Sequence, residues 1–177
     1  MAKERIDYLQ HYQEVMKSLT SHGLLLGSYD AAGKANVMTI GWGSMGSIWG
    51  VPVWVVLVRP SRYTYQCIEH NGCFTVNVPG EHLAMACATA GSVSGRDMDK
   101  FAECGLTAQN AHTVLAPEVV ECPIVYECQV VHSNDVIPAK LADEIIAGAY
   151  TDGDFHRVYF GKMLAVRAEA DAARLLK

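Results

Sequence analysis

The stretch ANVMTIGWGSMGSIWGVPVWVVLV, from Ala35 to Val58, carries no charged side chain and includes Trp42, Trp49 and Trp54. A run this apolar must be a membrane span, a nucleotide loop or the wall of something buried. A helical span needs about 20 mostly apolar residues, which the length allows. However, Gly41, Gly43, Gly46 and Gly50 crowd its middle, Pro52 follows, and Asn36, Thr39, Ser44 and Ser47 add polar groups. That density, ahead of a β-branched tail, predicts strand, loop, strand.

The segment GWGSMG also matches GxGxxG literally, after a strand-like ANVMTI. The dinucleotide fingerprint requires a helix to open at its third glycine, so that the helix N-terminus can hold a pyrophosphate. Here SIWGVPVWVVLV follows, with a proline and a valine run of strand character, so the match fails its context.

The rest of the chain sets the frame. Its 177 residues suffice for one domain, taken as 1–177, with a sizeable core. The 14 basic and 19 acidic residues give a formal charge of −5 with no basic stripe, which disfavours nucleic acid as a partner. The start, MAKERIDYLQHYQEVMK, lacks an apolar signal-peptide core, so a cytoplasmic protein without membrane attachment is expected. Cys67, Cys73, Cys87, Cys104, Cys122 and Cys128 form no CxxC pair and no zinc-finger spacing, and are expected as buried free thiols with no metal site.

GLLLGSY, the turn DAAG and ANVMTIGW predict a β-hairpin, and VPVWVVLV (51–58) the next strand of a meander. RYTYQCIEHN reads as a helix capped by Ser61 and stopped at Asn71-Gly72, followed by the strand CFTVNV. GEHLAMACATA and DMDKFAECG read as helices, the second capped by Asp97 and ended by Gly105. Strands are expected at 124–133 and 156–169. Between them lies a helix over 138–150, with Leu141, Ile145 and Ala149 on one face. Without evident βαβ units, the fold class is mainly β: an antiparallel barrel with peripheral helices.

Two segments suit an anion. In RPSRYTY, Arg59, Ser61, Arg62 and Thr64 stand where a strand exits into a helix; in GSVSGRDMDKF, Ser94, Gly95, Arg96 and Lys100 combine a flexible loop, hydroxyls and a lysine. Either alone is explained by a capped helix with solvated cations. Both, beside a charge-free wall of glycine and tryptophan, point to a ligand with a flat ring and a phosphate. Trp42, next to the glycines, belongs to that wall, whereas Trp54, in a valine strand, belongs to the core.

In order, NVMTIGWG, RPSRYTYQCIEHNGCFTVNVP, SGRDMDKFAECGL, CPIVYECQVVHS and DGDFHRVYFGKMLAV resemble the flavin reductase-like, FMN-binding split-barrel proteins that include flavoredoxin. The resemblance spans about residues 20 to 168. It implies an antiparallel split β-barrel homodimer holding FMN near the subunit interface, with NAD(P)H or a protein as the electron donor and a small-molecule or protein acceptor. By the same resemblance, Met38, Thr39, Ile40, Gly41 and Trp42 would line the flavin ring. Arg59, Ser61, Arg62, Thr64, Ser94, Gly95 and Lys100 would hold its phosphate, and His156 would lie near the reactive face. The shortest flavin reductases lack a helix like the one within 135–154, and many relatives continue beyond RAEADAARLLK. An FMN-dependent oxidoreductase is the leading expectation, an FMN-binding electron carrier the second, and a non-catalytic ligand-binding split barrel the third. No essential nucleophile is expected, because flavin carries its own redox chemistry.

Overall fold

The computed structural model describes residues 2–176. A short strand Glu4–Arg5 (β1) and a helix Tyr12–Ser21 (α1) lead into Leu24–Tyr29 (β2) and Ala35–Ile40 (β3). Asp30 makes the turn of this hairpin: its Oδ1 accepts from the backbone N–H of Ala32 (2.9 Å) and Lys34 (2.8 Å), and Gly33 takes φ +77°. The charged N-terminal segment thus includes a helix that the sequence reading did not assign. Its Val15 and Leu19 are buried.

The uncharged stretch holds three strands: after β3 come Gly43–Ile48 (β4) and Val51–Val58 (β5). The loop expected between the strands at 35–42 and 51–58 is therefore largely a strand, and the physical reason is close approach. A side chain at Gly43 would sit 2.7 Å from the Val55 carbonyl oxygen, so glycine is what the pairing requires. Ile48 faces Val51 across a two-residue turn in which Trp49 (φ 54°) and Gly50 (φ 72°) are both left-handed, as a tight hairpin with twisted strands demands.

The later elements are Tyr63–Asn71 (α2), Cys73–Val78 (β6), Ala84–Ser92 (α3), Lys100–Glu103 (α4), Ala108–Asn110 (β7), Pro117–Val119 (β8), Ile124–Asp135 (β9), Asp143–Ala149 (α5), Arg157–Ala168 (β10) and Ala172–Leu175 (α6). Several expected boundaries move. Arg62, not Ser61, is the N-cap of α2, without a side-chain bond. Asp99, not Asp97, caps α4 by accepting from the N–H groups of Phe101 (3.1 Å) and Ala102 (3.3 Å). The stretch 138–150 divides into a 3₁₀ turn Pro138–Lys140 and α5, because Leu141 is extended. No residue of α5 is buried and Ile145 is 46% exposed, so the anticipated apolar face does not meet the core.

The eight-stranded sheet runs in the order β3-β2-β6-β9-β10-β5-β4, every pair antiparallel, with β1 also pairing β10 and with β7 and β8 as a separate ladder. The first two hairpins lie at opposite ends of this path instead of side by side as a meander. Gly41 and Trp42 carry the chain from one open edge, β3, to the other, β4. The sheet curls without its edges pairing, which is a split barrel.

The interior explains the apolar β2. Leu24 and Leu26 face the barrel core with Trp54, Phe74 and Tyr126, whereas Leu25 faces a second core under α3 with Val37, Cys87 and Phe101. Trp54 is fully buried and meets Tyr126 edge-on at 5.6 Å. All six cysteines are free, five of them buried. Among the described residues, no helix is long and apolar enough to cross a membrane.

Candidate functional site

A cavity of about 320 Å³ opens where β3 ends, and all the residues singled out for a ligand site line it. Met38, Thr39, Ile40, Gly41 and Trp42 form one wall; Arg59, Ser61, Arg62 and Thr64 a second; Ser94, Gly95 and Lys100 a third; His156 closes the side next to Trp42.

Each wall has a local cause. Thr39 donates its hydroxyl proton to the Cys87 carbonyl, and a side chain at Gly91 would lie 3.3 Å from Thr39 Cβ, so β3 and α3 pack closely. Thr64 is buried on the first turn of α2 and accepts from the Asn36 amide (2.8 Å). Gly95 is required by space: a Cβ there would fall 2.2 Å from Asn36 Oδ1 and 2.8 Å from the Tyr63 ring. Asn36 Oδ1 is itself buried with no hydrogen-bond partner among the described residues.

The electrostatics of the cavity are cationic. Lys100 is only 6% exposed and donates to the Ala90 carbonyl (2.7 Å). Burial, and then the charge of Arg62, lowers its pKa from 10.5 to about 8. The Arg62 side chain makes no hydrogen bond or ion pair with a described residue. Arg96 lies over the Tyr63 ring at 5.3 Å and donates to the Ser61 carbonyl (3.0 Å). Arg62 and Lys100 are thus two neighbouring cations without a carboxylate, which an anion would stabilise.

Arg59 and Ser61 also line the cavity, but their polar atoms are engaged elsewhere. Arg59 donates to the carbonyls of Ala149 (2.7 Å) and Asp154 (3.0 Å), and the Ser61 hydroxyl donates to the Asp154 carboxylate (2.5 Å). These bonds moor the segment between β9 and β10 to the exit of β5.

The opposite end is aromatic. Trp42 remains 47% exposed, with its ring 5.0 Å from His156 and 6.4 Å from Tyr150. His156 is buried, and burial, followed by the charge of Arg59, holds its imidazole down at about 4, with Asp154 opposing and Arg62 adding to the effect. It is therefore neutral near pH 7. Chemically, the cavity is cationic at Arg62 and Lys100 and aromatic towards Trp42, an arrangement suited to a ligand with an anionic end and a flat ring. The sequence reading missed Tyr63, Asn36 and Tyr150. Tyr63 adjoins Arg62 and lay within reach of that motif, but nothing in the spacing of Asn36 or Tyr150 ties either to the cavity.

The profile of the flavin reductase-like domain matches residues 16–176. Flavoredoxin of Desulfovibrio vulgaris (Miyazaki F) is 27% identical, with a TM-score of 0.68 over 84% of this chain and 69% of its own. Flavoredoxin from Methanosarcina acetivorans is 28% identical, with a TM-score of 0.67 over 84% of this chain and 68% of its own. Nitrilotriacetate monooxygenase component B from Bacillus cereus shares the fold at 14% identity, with a TM-score of 0.71 over 100% of this chain and 90% of its own. The uncharacterized protein YddH of Escherichia coli (strain K12) is 38% identical over 86 residues, which are 47% of this chain and 45% of that protein. The match thus spans less than half of that relative.

Proposed function

Because this chain belongs to the flavin reductase-like domain family, we propose that its cavity holds FMN and that the protein is an FMN-dependent oxidoreductase. It would take electrons from NAD(P)H and pass them to free flavin or to a small or protein acceptor. The observation that carries this reading is the polarity of the cavity: the unpaired Arg62 and the buried Lys100 at one end, and Trp42 with the apolar end of β3 at the other.

The donor set fits the cofactor. Arg62, Lys100 and the Ser94 hydroxyl would hold the phosphate, and Gly95, where a side chain would clash with Asn36 and Tyr63, would let the backbone approach it. Met38 and Ile40 would keep water from the ring, and Gly41 lets backbone N–H groups approach its heteroatoms. Bound FMN supplies the hydride and single-electron chemistry, leaving the protein to bind, orient and tune. His156, neutral near pH 7, would present a hydrogen-bonding nitrogen to the reacting end without adding charge. No thiol is activated for attack: burial raises Cys67 and Cys87 to about 11.

We place the protein in the cytoplasm as a homodimer, joined through the outer sheet face on which Trp49, 64% exposed, clusters with His132 and Phe160. Sedimentation at rising concentration tests the dimer, and a monomer throughout would refute it. The function is tested by loading the protein with FMN, removing oxygen and adding NADH or NADPH. Bleaching of the flavin absorbance within seconds is expected. The similarity to two flavoredoxins favours a second reading, an electron carrier. Slow bleaching by nicotinamides with fast reduction by a ferredoxin-type protein would select it, and a protein that neither binds FMN nor consumes NAD(P)H would refute both.

A further inference from the structure

The segment between β9 and β10 delivers a tyrosine to the site. Its chain passes through α5 and returns by a turn in which the Gly153 N–H donates to the Tyr150 carbonyl (3.0 Å), with Gly153 at φ +70°. Arg59 grips this turn on both sides of Tyr150, at the carbonyls of Ala149 and Asp154, and its guanidinium lies 5.2 Å over the Tyr150 ring. Phe155 stacks on the same ring at 4.7 Å and 19°. Tyr150 is 5% exposed although α5 beside it has no buried residue, so the segment is anchored chiefly where this side chain enters.

The Tyr150 hydroxyl lies 2.8 Å from His156 Nδ1. A phenol O–H must find an acceptor when buried, and among the described residues the Nδ1 lone pair is the one within reach. The reverse arrangement, Nδ1–H donating to the phenol oxygen, would leave the hydroxyl proton buried and unpaired, at a cost of about 1–3 kcal/mol. We infer that Tyr150 is a positioning residue: by donating to Nδ1 it holds His156 as a neutral imidazole whose proton is on Nε2 and is presented to the cavity.

The ring's surroundings support that state. Burial, then Arg59 and Arg62, opposes a second proton on the imidazole, and the Asp154 carboxylate, which accepts from the Ser61 hydroxyl, offsets them only in part. Nε2 makes no bond to a described residue, and His156 lines the cavity beside Trp42. The consequence is a fixed, uncharged N–H donor at the reacting end, suited to a carbonyl, nitro or ring-nitrogen acceptor on a neutral planar substrate. The catalytic part of this inference rests on the flavin reading above; the tautomer does not.

The test is long-range ¹H–¹⁵N correlation on histidine-labelled protein without flavin, for the wild type and Tyr150→Phe, which removes only the hydroxyl. At neutral pH the wild type is expected to show His156 with a protonated Nε2 and an unprotonated Nδ1, and Tyr150→Phe to show averaged shifts of mixed tautomers. FMN-loaded Tyr150→Phe is then expected to keep its KM for NAD(P)H within about twofold while kcat falls about tenfold or more. A wild type carrying its proton on Nδ1, a variant that keeps the single Nε2–H tautomer, or equal turnover by the two proteins overturns the inference. If the variant fails to fold, the wild-type shifts alone decide the tautomer. If neither protein binds FMN, the proposed function fails while the shifts still decide this one.

Discussion

Lys100 couples the site to pH. Its folded-state pKa of about 8 is depressed by burial and by Arg62, and a bound phosphate dianion would raise it again. FMN affinity should therefore be constant between about pH 7 and 8 and weaken by up to about tenfold per pH unit above that, as the free protein loses the proton that binding requires. A flavin-fluorescence titration series across this range checks it. Lys100→Met should bind FMN about 10- to 100-fold more weakly and lose the pH dependence, since a hydrogen bond to a charged group contributes about 1.5–3 kcal/mol. His156 acts on stability instead. Its pKa falls from 6.5 unfolded to about 4 folded, so the unfolded chain binds more protons in between. Stability should be full above about pH 6.5 and decline by up to about 3 kcal/mol as pH falls to 4. Urea unfolding across this range should show the wild type losing up to about 3 kcal/mol more than His156→Gln.

Among the elements, the loop between α3 and α4 is the least tolerant. Gly95→Ala would drive a methyl into Asn36 Oδ1, and Asn36 cannot swing away without losing its bond to Thr64 (2.8 Å). Weakening of FMN binding by more than about tenfold is expected, with a modest loss of thermal stability of about 1–3 kcal/mol; calorimetry with and without FMN separates the two. Much of this element was legible in the sequence, because its glycine, hydroxyls and lysine occur together with a second anion-suited segment, Arg59 to Thr64, and an uncharged wall. The three walls of the cavity were legible for the same reason. What escaped has a physical cause in each case. β4 is two-thirds glycine and serine and has low strand propensity, so its pairing comes from contact with β5. The first hairpin could be recognised locally, but its placement at the opposite end of the sheet from β4 and β5 depends on strands β6, β9 and β10 far along the chain. Tyr150 closes a short loop to His156, and only the grip of Arg59, about 90 residues earlier, gives it that position.

The molecule as a whole is tied together by a buried ionic cluster on the far side of the sheet from α2. Arg167 on β10 donates through Nε to Glu127 on β9 (2.9 Å) and also pairs with Glu118 on β8; Lys3 lies 3.7 Å from Glu118. Burial alone would push the Glu127 carboxyl up, but bonds from the Thr113 hydroxyl and N–H and from Arg167 outweigh it and hold it below its ordinary value. This carboxylate therefore stabilises the fold above about pH 4.5 and loses that contribution on acidification. Arg167→Met should remove about 3–5 kcal/mol at pH 7 by leaving two buried carboxylates with too few partners. The variant should lose less stability than the wild type between about pH 7 and pH 5, because protonation then relieves a carboxylate left without its Arg167 partner. Thermal denaturation at both values reads this directly.

The central claim is a flavin site whose cationic end at Arg62 and Lys100 grips a phosphate. Its most direct test is the affinity of the wild-type protein for FMN against riboflavin, which carries the same ring without the phosphate, by fluorescence titration at about pH 7. The structure predicts FMN to bind at least about 100-fold more tightly, as two or more charge-assisted hydrogen bonds would give. Equal affinity for the two flavins, or binding of neither, would contradict it.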